Sequence, residues 1–60
     1  MTNNKVLEKW AELRNIVERL TEDITKNASG NKAAGTRARK GLRTLKNTAS
    51  ELVRLTLGKE

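Results

Sequence analysis

Between Gly30 and Lys46 the chain carries six basic side chains, Lys32, Arg37, Arg39, Lys40, Arg43 and Lys46, and no acidic one. Cations concentrated in this way can hold a polyanion, and nucleic acid is the first candidate. On a helix, Lys32, Thr36, Arg39, Arg43, Lys46 and Ser50 follow i, i+4, i+7, i+11, i+14, i+18 and share one side. Arg37 and Lys40 form the neighbouring row. From Lys32 to Lys46 the stripe spans about 21 Å at 1.5 Å per residue, comparable with roughly six base pairs at 3.4 Å each. Long cations with interspersed hydroxyls suit phosphate oxygens, which are negative and accept hydrogen bonds. The stripe has no aromatic residue for base stacking and no Asn or Gln array to suggest a base code. Backbone contact with weak sequence preference is the expectation.

The position of these cations is a second argument. A helix N-terminus carries partial positive charge, so cations there are mildly unfavourable for folding. Lys32, Arg37, Arg39 and Lys40 nevertheless sit in and just after the first turns. A phosphate held at exposed N-terminal amides removes that conflict.

Elsewhere the charges balance. Lys5, Lys9, Arg14, Arg19 and Lys26 stand against Glu8, Glu12, Glu18, Glu22 and Asp23, so the net charge of +6 arises beyond residue 29. Sixty residues make one domain at most, with a core that favours partners or oligomers as support. The chain has no Cys and no His, which removes disulfides, thiolate or imidazole metal ligands and His-based catalysis. Glu18, Glu22 and Asp23 lie close enough to suggest a metal site, but Arg19 and Lys26 within a turn make a solvated ion-pair surface the better reading. Two helices offer no evident concave pocket, so neither an enzyme nor a cofactor is expected. No apolar run approaches the roughly 20 residues of a membrane span, and no signal-peptide core follows the N-terminus. A soluble cytoplasmic protein follows as the expectation.

The apolar residues define the elements that position the stripe. Val6, Trp10, Leu13, Val17, Leu20 and Ile24 are spaced 4-3-4-3-4, and Ala38, Leu42, Leu45, Ala49, Leu52 and Thr56 repeat that spacing. This is a heptad seam. The pattern predicts an all-α chain: a helix over about 4–28 with Asn3 or Asn4 as N-cap, a turn at 29–31 with Gly30 left-handed, and a second helix over about 32–57. Asn31 caps the second helix and Gly58 ends it. A short loop between amphipathic helices implies an antiparallel, coiled-coil-like hairpin. Folding about residue 31 pairs Trp10 with Leu52, Leu13 with Ala49, Val17 with Leu45, Leu20 with Leu42, Ile24 with Ala38 and Asn27 with Gly35.

Two points stay open at this stage. Gly35 and Gly41 each cost about 1 kcal/mol relative to Ala inside a helix. Either they permit close approach to the first helix or a sugar-phosphate backbone, or the second helix begins nearer Thr36. At the open end, Leu7, Trp10, Val53, Leu55 and Leu57 exceed what a two-helix seam can cover. They are either scattered exposed residues or, as preferred, an oligomerisation surface that pairs two hairpins into a four-helix bundle.

Gly30-Asn31-Lys32-Ala33-Ala34-Gly35-Thr36-Arg37-Ala38-Arg39-Lys40 resembles the motif of the bacterial linker-histone-like proteins of the chlamydial and Bacteroidetes type. That family shares the order of a mixed-charge amphipathic helix, a Gly-Asn-Lys-Ala-Ala turn, an Arg-x-Arg pair and a leucine-patterned helix. The resemblance implies a nucleoid-associated protein that binds and compacts double-stranded DNA, with Asn31, Lys32, Arg37 and Arg39 at the matched motif positions. Longer members carry a Lys/Ala-rich tail where this sequence ends at Glu60, so bridging by an oligomer would replace tail-driven condensation. The full candidate set for DNA is Asn31, Lys32, Thr36, Arg37, Arg39, Lys40, Arg43 and Lys46. RNA is an alternative through the same phosphate chemistry. A coiled-coil interaction module and an anionic-membrane binder are the other readings. A membrane is not expected, because the seam consumes the apolar stripe and the cationic face lacks aromatic anchors.

Overall fold

A computed structural model describes residues 4–58. Helix α1 spans Asn4–Ala28 and helix α2 spans Lys32–Thr56. They pack against each other as an antiparallel hairpin about 47 Å long. The expected N-cap at Asn3 lies outside the described residues, and Asn4 is already helical.

The turn follows from three residues. Gly30 takes φ 103°, a left-handed conformation that costs glycine nothing. Its N–H donates to Asn27 O at 2.9 Å while the Asn31 N–H donates to Lys26 O at 3.0 Å. This pair of bonds closes the α1 C-terminus as a Schellman motif. Asn31 then opens α2: its Oδ1 accepts the Ala34 N–H at 3.0 Å, as an N-cap side chain does.

The helices meet along a narrower and differently centred line than the heptad reading gave. On α1, Val6, Lys9, Leu13, Ile16, Leu20 and Asp23 turn toward α2; on α2, Ala34, Ala38, Gly41, Leu45, Thr48 and Leu52 turn toward α1. Trp10, Val17, Ile24 and Leu42, all placed in the seam by the spacing, are 43–47% exposed. Small residues explain the shift. A Cβ on Gly41 would lie 3.1 Å from Leu20 Cγ and closer still to its Cδ2, and a Cβ on Gly35 would strike Asn27. The α1 backbone therefore approaches α2 over Ala34, Gly35, Ala38 and Gly41. Leucine-sized partners would hold the helices apart, so Leu42 is turned outward and Leu20 packs over Gly41 instead. Because α2 begins at Lys32, the two glycines sit within the helix, and close approach to α1 accounts for them.

Register survives this rotation. Asn27 is level with Gly35 as expected, and Leu20 with Gly41. The buried apolar core is small: Leu20, Ala34 and Ala38.

Gly41→Val should force the helices apart at Leu20. Overpacking of this kind costs about 1–3 kcal/mol, more than the few tenths that a better helix former than glycine returns. The expected outcome is a lower denaturation midpoint in circular dichroism at 222 nm.

Candidate nucleic-acid interface

The back of α2, away from α1, is cationic because the 3.6-residue period brings Lys32, Thr36, Arg39, Arg43 and Lys46 to one side, with Lys40 alongside. All six are exposed. Lys32, Lys40, Arg43 and Lys46 make no ion pair among the described residues. Arg39 donates from Nη2 to Thr36 Oγ1 at 3.3 Å, and the Thr36 hydroxyl leans on Lys32 O at 3.5 Å. Both bonds are local and exposed.

Two members of the expected set are placed differently. Arg37 leaves the back of the helix and reaches across to α1, where its Nε donates to Asp23 Oδ1 at 3.0 Å. The pair borders a shallow cleft with Ile16, Arg19, Gly41 and Thr44 on the opposite side from Arg39. Asn31 has its side-chain oxygen committed to the α2 cap. Its carbonyl receives the Gly35 N–H at 3.3 Å and Asn27 Nδ2 at 3.2 Å. Of the α2 N-terminal amides, that of Ala34 is filled by Asn31 itself and is not open to a phosphate.

Glu12, Glu22, Asp23 and Glu51 are engaged away from this row. Glu22 pairs with Lys26 at 2.9 Å, so Glu22 and Asp23 each face a cation. At the open end, Lys9 bridges Glu51 at 2.8 Å and Glu12 at 2.9 Å. The hydrogen bonds that Lys9 donates to Glu51 first, then to Glu12, raise its pKa. The reciprocal bond from Lys9 lowers the Glu51 carboxyl below its ordinary 4.5. Arg54 continues the row of Arg43, but it lines a cleft with Glu8, Glu12 and Glu51. The uninterrupted cationic surface therefore runs from Lys32 to Lys46. The sequence reading missed Asp23 and Lys9 as cross-helix partners. The signal was in the register, since 23 pairs with 37 and 9 with 51 at nearly the sum that matches 27 with 35.

The apolar residues expected at the oligomer surface also divide. Leu7, Trp10, Val53 and Leu57 are 47–64% exposed. Leu55 turns to the other side, into the cleft with Lys9 and Glu51, because it falls two residues beyond Val53 on a 3.6-residue period.

A cationic helix back on a two-helix hairpin, built on a Gly-Asn-Lys-Ala-Ala turn, can now be set beside known families. The family model of histone H1-like protein Hc1 matches residues 7–56. The chain belongs to that family. Membership makes it a histone-like protein and points to DNA and nucleoid or chromatin association. Comparisons with curated proteins and with solved structures return no match. No helix among the described residues is long and apolar enough to cross a membrane.

The two arginines of the Arg-x-Arg pair thus differ in setting. Arg37→Ala should lower the melting temperature of the hairpin slightly, since exposed ion pairs contribute at most about 1 kcal/mol. Arg43→Ala, which breaks no contact, should leave it unchanged in the same thermal melt.

Proposed function

We propose that this histone H1-like protein binds double-stranded DNA largely without sequence preference. The phosphates lie along the back of α2, and the binding contributes to DNA compaction in the nucleoid. The observation that carries this reading is the row of Lys32, Arg39, Lys40, Arg43 and Lys46 on one exposed helix side, none of them in an ion pair among the described residues. Lys32, Arg39, Lys40, Arg43 and Lys46 hold phosphate oxygens, and Thr36 adds a hydroxyl. Arg37, tied to Asp23 across the hairpin, adds its charge beside this surface, while Asn31 shapes the turn that presents Lys32. RNA offers the same phosphates, but the family points to DNA. The role that this reading gives the hairpin is architectural.

Phosphate contact releases condensed counterions, and each contact contributes about −0.9 to the slope of log affinity against log salt. With five to six contacts the slope should be about −5. The double variant Arg39→Ala/Arg43→Ala should bind every duplex sequence more weakly, with a slope shallower by about 2. Fluorescence anisotropy of a labelled random duplex across a salt series measures both. Binding that ignores salt, or ignores both arginines, would remove the proposal and direct attention to a protein partner.

The same reading includes self-association. Among the described residues, seven large apolar side chains are at least 43% exposed and three apolar residues are buried, and a second copy is the simplest cover. Pairing into a four-helix bundle desolvates Trp10, the sole aromatic residue. Its emission should therefore shift to shorter wavelength as protein concentration rises, in step with a monomer–dimer transition seen by sedimentation.

A further inference from the structure

The exposed apolar residues are not confined to the open end. Trp10, Val17 and Ile24 recur every seven residues along α1, and Leu42 joins them from α2 around a shallow groove with Leu20, Leu45, Thr21 and Thr25. Thr21 and Thr25 donate their hydroxyls back to Val17 O at 3.1 Å and Thr21 O at 2.8 Å. Their polar atoms are thereby satisfied within the helix. By helical periodicity Val53 lies on the same side. One long side of the hairpin is therefore an apolar strip, bordered on the α2 edge by Lys32, Arg39 and Lys46.

Two hairpins can cover this strip in two symmetric ways. In the first, they point in opposite directions and α2 lies on the partner's α2. In the second, they point the same way and each α2 lies on the partner's α1. Charge separates the two. The first sets the Lys32, Arg39 and Lys46 edge against its own copy, where like charges repel and no carboxylate intervenes. The second sets that edge against Arg14, Glu18, Thr21 and Thr25, which include an acid and a single cation. Register separates them again. Level positions on the two helices are Lys9–Glu51, Leu20–Gly41 and Asn27–Gly35. With the tips together, Leu42 of one copy falls beside Val17 of the other, Val53 beside Trp10, and Gly35 beside Ile24. With the hairpins opposed and Val17 centred on its copy, Leu42 faces Lys46 instead. Centring Leu42 on its copy sets Ile24 against Arg14.

We propose that two copies pair through the Trp10–Val17–Ile24–Leu42 strip with their tips at the same end and each α2 against the partner's α1. The backs of the two α2 helices then face away from each other at opposite edges of the bundle. A dimer so built has two separate phosphate-binding surfaces and bridges two DNA duplexes. The inference rests on the DNA reading above and adds to it the partner and the mode of compaction.

The chain has no cysteine, so introduced cysteines report cleanly. Without DNA, a mixture of Arg14→Cys and Lys46→Cys chains should oxidise to a mixed disulfide dimer, while Lys46→Cys alone should stay uncross-linked. In parallel, an immobilised duplex loaded with the unmodified protein should capture a second, labelled duplex. Val17→Asp should abolish that capture yet leave single-duplex binding within about threefold. Lys46→Cys linking to itself, or single-duplex binding without capture, overturns the arrangement while the DNA reading stands. Failure to bind even one duplex overturns both. The cross-linking arm decides the matter should Val17→Asp lose its helicity.

Discussion

The close approach of the two helices over Ala34, Gly35, Ala38 and Gly41 is the constraint on which the rest depends. Helix–helix distance is set by the side chains at the contact. Here α2 offers little more than backbone to Leu20 and Asn27. Once that edge becomes the contact line, the rotation of each helix about its axis is fixed. Leu42 must turn outward on one side and Arg37 on the other, and Lys32, Arg39, Arg43 and Lys46 are carried to the back. A seam of leucines would have drawn Leu42, Trp10 and Val17 inward and left no lateral apolar strip. The glycines cost helix propensity, and what they bring is the orientation of both the cationic back and the apolar strip.

Electrostatics then sorts the cations by use. Lys9 and Arg37 lie level with Glu51 and Asp23 across the hairpin and become cross-links between helices, one near each end. These pairs are exposed and individually weak, yet they fix register where the small core cannot. Arg39 and Arg43 lie level with Glu22 and Glu18, but helical periodicity turns them away from α1, and with Lys32, Lys40 and Lys46 they make no ion pair among the described residues. The helix-dipole conflict seen in the sequence is therefore real but partly relieved, because Asp23 reaches Arg37 from α1 and Asn31 fills the Ala34 amide.

Much of this was legible in the sequence. The helix boundaries, the Gly30 turn, the Asn31 cap and the pairing of Asn27 with Gly35 follow from local chemistry: a left-handed glycine, an amide side chain before a helix, and a fixed rise per residue. The charge partition was legible too, because it needs no geometry beyond helical periodicity. The rotation of the helices was not. Apolar spacing marks the centre of the whole apolar surface, and in a hairpin with more apolar surface than one neighbour can cover, that centre is not the contact line. Small residues draw the contact to their own edge, so Ile16, Gly41 and Thr48 replaced Val17, Leu42 and Ala49 nearest the axis. Leu55 was misplaced, and Asp23 overlooked, for the same reason.

Folding, the proposed pairing and the proposed DNA binding would then be linked by mass action. A hairpin whose buried apolar core is Leu20 and two alanines gains little from its own collapse, while two ordered helices of 25 residues carry a large entropy cost. Covering Trp10, Val17, Ile24 and Leu42 by a second copy adds burial that the single chain lacks. Neutralising Lys32, Arg39 and Lys46 by phosphates removes repulsion that the single chain must bear. A partner or polyanion that binds the folded hairpin alone shifts the equilibrium toward it. Each event thus favours the others, although the apolar strip and the cationic back share only the edge formed by Lys32, Arg39 and Lys46. In the arrangement proposed above, that edge is where pairing and DNA binding would meet energetically, because its cations would oppose an α2-on-α2 contact in the free protein and hold phosphate in the bound one.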